Sequence, residues 1–190
     1  MKQLTLTLFA GLLTPAVAGN IIWTLFDALF NRQGVGVFAL LPVVATLFLL
    51  SVYLILDYIL ILARSAAEIS VLGVICEGIH LSFMAAIAIL SRNNPPELQI
   101  LVAAYLGFFI FGNSFGAWPV RDEKLRWRAA LVAADAVGLV ILCKGTELGL
   151  TGGWNIPACL TVSLAVWLIW AKPRTMPEMA NQLSSGGKAI

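Results

Sequence analysis

Charged side chains are scarce in this chain: only 12% of its 190 residues are Asp, Glu, Lys or Arg, and the formal net charge is +2. Soluble domains carry about 25% charged residues, so the composition excludes an ordinary water-soluble enzyme and, being rich in apolar residues, a disordered chain. A chain with so little net charge also has no basic field for the phosphates of nucleic acid. We therefore expect no nucleic-acid partner.

Histidine and cysteine are also rare, with one His and three Cys in the chain. One histidine excludes, within a single chain, a di-iron bundle centre with its two Glu-x-x-His pairs and a bis-histidine haem. The cysteines Cys76, Cys143 and Cys159 do not have the spacing of a metal site, so the sequence predicts neither a metal nor a cofactor. Cys143 and Cys159 flank one connection, where two free thiols are favoured over a disulfide.

Hydrophobic residues, by contrast, make up 60% of the chain, and the mean hydropathy is +0.92. A helix that crosses the hydrocarbon core needs about 20 mostly apolar residues. Six stretches meet or approach this length: Leu4–Phe26, Val35–Ala63, Ala66–Leu90, Leu98–Trp118, Ala129–Cys143 and Ile156–Ala171. The sequence predicts an all-α integral membrane protein in which residues 1–171 form a bundle of six transmembrane helices and residues 172–190 form a cytoplasmic tail.

The distribution of basic residues predicts the orientation of the bundle. Cytoplasmic loops of membrane proteins are enriched in Lys and Arg. With both termini cytoplasmic, the inner segments hold nine basic residues: Lys2, Arg64, Arg121, Lys124, Arg126, Arg128, Lys172, Arg174 and Lys188. The outer loops hold the other three, Arg32, Arg92 and Lys144. We expect six crossings with both termini inside, in the inner (cytoplasmic) membrane of a bacterium.

The first twenty residues have a second interpretation. Lys2, an apolar run and Ala16-Val17-Ala18 before Gly19 resemble a secretory signal with its cleavage site. Cleavage there would leave five helices. The apolar run continues past Gly19 to Trp23, which favours a retained first helix.

Small residues at four-residue spacing predict close helix contacts, because helices in lipid associate through small side chains. The pattern occurs at Gly112 and Gly116 in the fourth stretch and at Ala130, Ala134 and Gly138 in the fifth. Residues 112–116 also match the G-x-S-x-G string of serine hydrolases, but that chemistry needs a strained turn and a nearby base. Helix packing is the favoured interpretation.

Ionisable residues within apolar spans are expensive and are candidates for a functional site. Asp57 lies near the inner end of the second stretch, and Arg64 and Glu68 follow at helical spacing. We expect these three residues to form a charge network on the cytoplasmic side, either as a structural pairing or as a gate.

Three further ionisable residues fall near the middle of the bilayer. Glu77 and His80 lie three residues apart on one face of the third helix, and Asp135 lies at a similar depth in the fifth. Histidine changes its charge near neutral pH, so Glu77, His80 and Asp135 predict a midplane site for protons or cations. The alternative is a neutral hydrogen-bonded cluster that only fixes helix packing.

These features favour a small transport or channel-type protein that uses protons or cations, forms a homo-oligomer in the lipid bilayer and has no enzymatic activity. The alternative is a sensor or anchor subunit that binds a cytoplasmic protein through the Arg121–Arg128 loop and the tail at residues 172–190. An intramembrane enzyme has only Ser114 and His80 as candidate catalytic groups. Proton or cation flux would distinguish the first possibility from the others.

Overall fold

The computed structural model describes residues 9–31, 36–63, 71–93, 96–115 and 125–169, and every regular element within these ranges is a helix. A short π-helical turn, Phe9–Leu13, leads into the first α-helix. The α-helices are α1 (Thr14–Phe30), α2 (Val37–Ala63), α3 (Val71–Ser91), α4 (Pro96–Phe115), α5 (Leu125–Lys144) and α6 (Asn155–Ile169).

Among the described residues, four helical segments are long and apolar enough to cross a membrane. They are Gly11–Phe30, Phe38–Tyr58, Leu72–Ser91 and Pro96–Ser114. Helix α5 has a comparable length but includes Arg126, Arg128, Asp135 and Lys144, and the described part of α6 is shorter. The described residues thus form an all-helical fold with four helices that could span a membrane.

The observed start of α5 differs from the start expected from its apolar run. Helix α5 begins at Leu125, before the apolar run that starts at Ala129. Its 20 residues span about 30 Å, whereas the apolar run alone is too short to cross the hydrocarbon core. The basic residues at its start therefore belong to the helix and not to a loop.

The helices pack in chain order, and there are further contacts between α1 and α3 and between α2 and α6. α1 packs against both α2 and α3, and α3 packs against α2 and α4. α4 packs against α5, and the side chain of Asn155 at the start of α6 donates a hydrogen bond to the Leu142 carbonyl of α5 (3.4 Å). α6 also reaches α2, where the Tyr53 and Trp167 rings lie 6.2 Å apart. One hydrophobic core, including Leu47, Met84 and Leu160, runs through the bundle.

Several hydroxyl groups along the helices are hydrogen-bonded within their own helix. Thr24, Thr46, Ser51 and Ser91 each donate a hydrogen bond to the backbone carbonyl four residues earlier, at 2.7–2.9 Å. This pattern suits a hydrocarbon surrounding, in which a polar group without a partner is costly. The polar groups that contact other helices are consequently the exceptions that identify a site.

Candidate functional site

Two neighbouring helices bring three ligand-type side chains together inside the bundle. Asp57 comes from α2, and Glu77 and His80 come from one face of α3. One side-chain ligand atom from each residue lies within 4.8 Å of the other two. Asp57 stands six residues before the end of α2 and Glu77 six residues after the start of α3, so the antiparallel pairing of these helices places them at the same depth. We call these three residues the trio.

The trio is well shielded from solvent. Glu77 is 5% exposed and His80 is 3% exposed, and the Asp57 side chain is 14% exposed. The His80 Nε2 and Asp57 Oδ2 atoms lie 3.8 Å apart, which is longer than a hydrogen bond. The imidazole nitrogen and the carboxylate oxygen are thus close neighbours, but they do not form a hydrogen bond with each other.

Aromatic residues of α4 hold the His80 ring. The Tyr105 hydroxyl lies 3.3 Å from His80 Nδ1, and the two rings are stacked with centroids 5.7 Å apart. Phe109 meets the imidazole edge-on at 5.2 Å. Tyr105 is only 1% exposed, so its hydroxyl is directed into the bundle. His80 therefore has a defined ring orientation, with Nδ1 towards Tyr105 and Nε2 towards Asp57.

Asp135 belongs to a second polar group beside the trio. Its Oδ1 accepts a hydrogen bond from the Ser163 hydroxyl of α6, and Ser163 also lies close to Tyr53 of α2. Asp57, Glu77, Asp135 and Tyr53 all lie within electrostatic range of the Tyr105 hydroxyl. The structure thus gathers Glu77, His80 and Asp135 in one region of the bundle interior but gives Asp135 its own immediate partner.

Asp57 was expected to form a cytoplasmic-side charge network with Arg64 and Glu68. Both of these partners lie outside the described residues, so the network stays a prediction. Within the described part of the chain, Asp57 is placed beside His80 and Glu77. The packing of α2 on α3 supplies these neighbours, which spacing along the sequence did not indicate.

Three of the small residues expected to mark packing faces are buried. Gly138 of α5 is buried, and a Cβ added there would lie 3.3 Å from the Cys159 carbonyl oxygen of α6 and 3.3 Å from Leu106 Cδ1 of α4. Ala134 and Gly112 are also buried, and Ala130 is half-buried. Gly116 lies outside the described residues.

The serine of the G-x-S-x-G string is far from the histidine. Ser114 is exposed and lies nine residues after Tyr105, which contacts His80. Nine residues of α-helix correspond to about 13 Å along the axis. The geometry does not bring Ser114 and His80 together as a nucleophile and its base. Cys76, Cys143 and Cys159 carry free thiols.

A separate ion pair joins the C-terminal ends of α1 and α3. Arg92 Nε lies 2.7 Å from Asp27 Oδ2, and the Asn31 side-chain amide donates to Asp27 Oδ1 at 3.0 Å. This contact joins the residue after α3 to the last turn of α1. It lies at the end that the basic-residue count assigns to the outside.

Tyr105, Ser163 and Tyr53 were not singled out by the sequence. For Tyr105, however, the sequence held a clue. Tyrosines of membrane proteins concentrate at the two membrane interfaces. Tyr105 instead lies in the middle of α4, where a phenol needs a buried hydrogen-bond partner. A tyrosine at mid-span, in a chain that has three, would have pointed to a polar interior.

Comparisons of the chain with models of protein families, with curated proteins and with solved structures gave no match, so the site is interpreted from its own geometry.

Proposed function

We propose that the chain is a small transport or channel-type protein of the bacterial inner membrane that moves protons or cations. In this proposal all six helices cross the bilayer and both termini are cytoplasmic. Glu77, His80 and Asp135 form the midplane site, and Asp57 joins it from α2. Two or more copies assemble in the bilayer, because six short helices enclose little interior volume.

One observation carries the proposal: carboxylates and an imidazole from α2, α3 and α5 converge inside the bundle around Tyr105. Ionisable groups within membrane spans are costly and, when they face the bundle interior, mark ion or proton pathways. Acidic side chains along such a pathway favour positive charge over anions.

The test is flux into liposomes that contain the purified full chain. A membrane potential is imposed, and proton entry and cation entry are followed with pH-sensitive and metal-sensitive dyes. We expect flux above that of protein-free liposomes, and we expect Glu77→Gln and Asp135→Asn to reduce it to that background. Glu147→Gln is the matched control, because Glu147 is an exposed acid in the α5–α6 connection, paired with the likewise exposed Lys144 at 2.7 Å.

Background flux from the folded wild-type protein, for protons and for every cation tried, would overturn the proposal. The same holds if Glu77→Gln and Asp135→Asn fold and retain wild-type flux. In either case the polar interior is a packing and assembly device, as expected of a sensor or anchor subunit.

A further inference from the structure

We propose that Asp57, Glu77 and His80 form a binding site for one divalent first-row transition-metal ion. The proposal that these residues bind a metal does not depend on the proposal that the protein transports ions. Only the corollary, that this ion is the cation moved through the bundle, rests on the proposed function. Nothing in the spacing of the sequence predicted a metal site, because the ligands come from two helices and only two of them are near each other in the chain.

The donor set selects the class of ion. Two carboxylates and one imidazole offer oxygen and nitrogen ligands, which suit Mn²⁺, Fe²⁺, Co²⁺ and Zn²⁺. Mg²⁺ and Ca²⁺ prefer oxygen ligands alone, so the imidazole disfavours them. A site of this composition holds its metal with three protein ligands and leaves positions for water or a further ligand.

The distances suit one ion between the three side chains. A transition metal lies about 2.0–2.2 Å from each nitrogen or oxygen ligand, so ligands of one ion are about 3–4 Å apart. The His80 Nε2 and Asp57 Oδ2 atoms are 3.8 Å apart, and the ligand atoms of all three residues fall within 4.8 Å. Small side-chain rotations suffice to complete the site.

The surroundings of the trio resemble those of a metal ligand. Metal-binding histidines usually hydrogen-bond through the nitrogen that does not bind the metal, which sets the orientation of the ring. His80 does this through Nδ1 and Tyr105, and its Nε2 is directed towards Asp57. The Asp57 Oδ2 atom is buried and, among the described residues, accepts no hydrogen bond.

The gap between His80 and Asp57 is the position that an ion would occupy. The 3.8 Å between His80 Nε2 and Asp57 Oδ2 is too long for a hydrogen bond between those two atoms, and an ion placed between the buried imidazole and the carboxylate would contact both.

The first experiment measures metal binding to the purified full chain in detergent. Equilibrium dialysis against Mn²⁺, Co²⁺ or Zn²⁺, followed by elemental analysis, should give one ion per chain. Loss of a ligand in Glu77→Gln or His80→Gln should weaken binding by at least the 10–100-fold typical of losing a second-shell partner. Glu147→Gln and Asp135→Asn should bind like the wild type, since neither residue belongs to the trio.

The second experiment reports on the ligands directly. His80→Cys supplies a thiolate in place of the imidazole, so its Co²⁺ complex should gain a near-ultraviolet thiolate-to-cobalt absorption band that the wild type lacks. Cys76, Cys143 and Cys159 are present in both proteins and serve as the internal control. A residue with a purely structural role would not change the cobalt spectrum in this way.

The outcomes separate the two proposals. No stoichiometric binding by the folded wild type, or unchanged binding after Glu77→Gln and His80→Gln, would overturn the metal site, and proton flux would then leave the transport proposal standing. Stoichiometric binding that depends on the trio, without flux of any ion, supports the metal site and overturns transport. Asp135→Asn should retain binding while it loses flux.

Discussion

Single side chains decide how the trio is presented, and Tyr105 is the clearest case. Its hydroxyl contacts His80 Nδ1 and its ring stacks on the imidazole. Tyr105→Phe keeps the ring but removes the hydroxyl. We expect the variant to fold and to bind Co²⁺ about 10–100-fold more weakly, because it loses a second-shell hydrogen bond.

Competition dialysis measures this loss, with Tyr58→Phe as the matched control on α2. Tyr58 is half-buried and lies next to Asp57 in the chain. Equal Co²⁺ affinity of Tyr105→Phe and wild type would show that the hydroxyl does not position His80.

A second prediction at this scale concerns Asp27 and Arg92. Their side chains are 2.7 Å apart; the Arg92 side chain is 55% exposed and the Asp27 side chain is 10% exposed. Solvent reaches the arginine, and the Asn31 amide still donates to Asp27 when the arginine is removed, so we expect Arg92→Ala to lower the free energy of unfolding by about 1 kcal/mol. A double-mutant cycle with Asp27→Asn, from thermal unfolding in detergent, measures the coupling. The coupling should shrink as salt is added, because ions screen exposed charges. A coupling that salt leaves unchanged would contradict this picture.

At the scale of helices, Gly138 sets the approach of α5 to its neighbours. A Cβ there would lie 3.3 Å from the backbone oxygen of Cys159 in α6, and backbone cannot rotate away as a side chain can. We expect Gly138→Leu to destabilise the protein by about 1–3 kcal/mol through overpacking. Because α6 carries Ser163, displacement of α6 should also disturb the partner of Asp135.

Thermal unfolding in detergent measures the effect, and Gly107→Leu on α4 is the matched control. A Cβ at Gly107 would meet no atom within 4 Å. We expect Gly107→Leu to unfold close to the wild-type temperature. Equal losses of stability in both variants would mean that the α5–α6 contact is not what makes Gly138 sensitive.

For the whole molecule, the testable property is orientation in the membrane. We expect reporters fused after Ile190 or within Arg121–Arg128 to be cytoplasmic, and reporters near Asn94 and Gly152 to be external, because basic residues remain on the cytoplasmic side. Paired fusions of an enzyme active only inside and one active only outside measure this. An external reporter after Ile190 would contradict six crossings.

The helical architecture could be predicted from the sequence because its causes are local. Length and hydropathy define each apolar run, and lipid leaves the backbone no alternative to a helix there. The starts and ends of α2, α3 and α4 lie within five residues of the expected ones. Helix α5 starts four residues before its apolar run, since hydropathy does not show a helix that continues through Arg126 and Arg128.

The sequence by itself determined which ionisable residues lie within the apolar stretches and how far along each helix they lie, since that position follows from the rise per residue. It showed that Glu77 and His80 share a face, because that spacing is a property of one helix. Only the tertiary structure decided that Asp57 faces them, that Tyr105 holds His80 and that Ser163 bonds Asp135. Those pairings depend on the rotation and stagger of one helix against another, which long-range packing sets and no local pattern records.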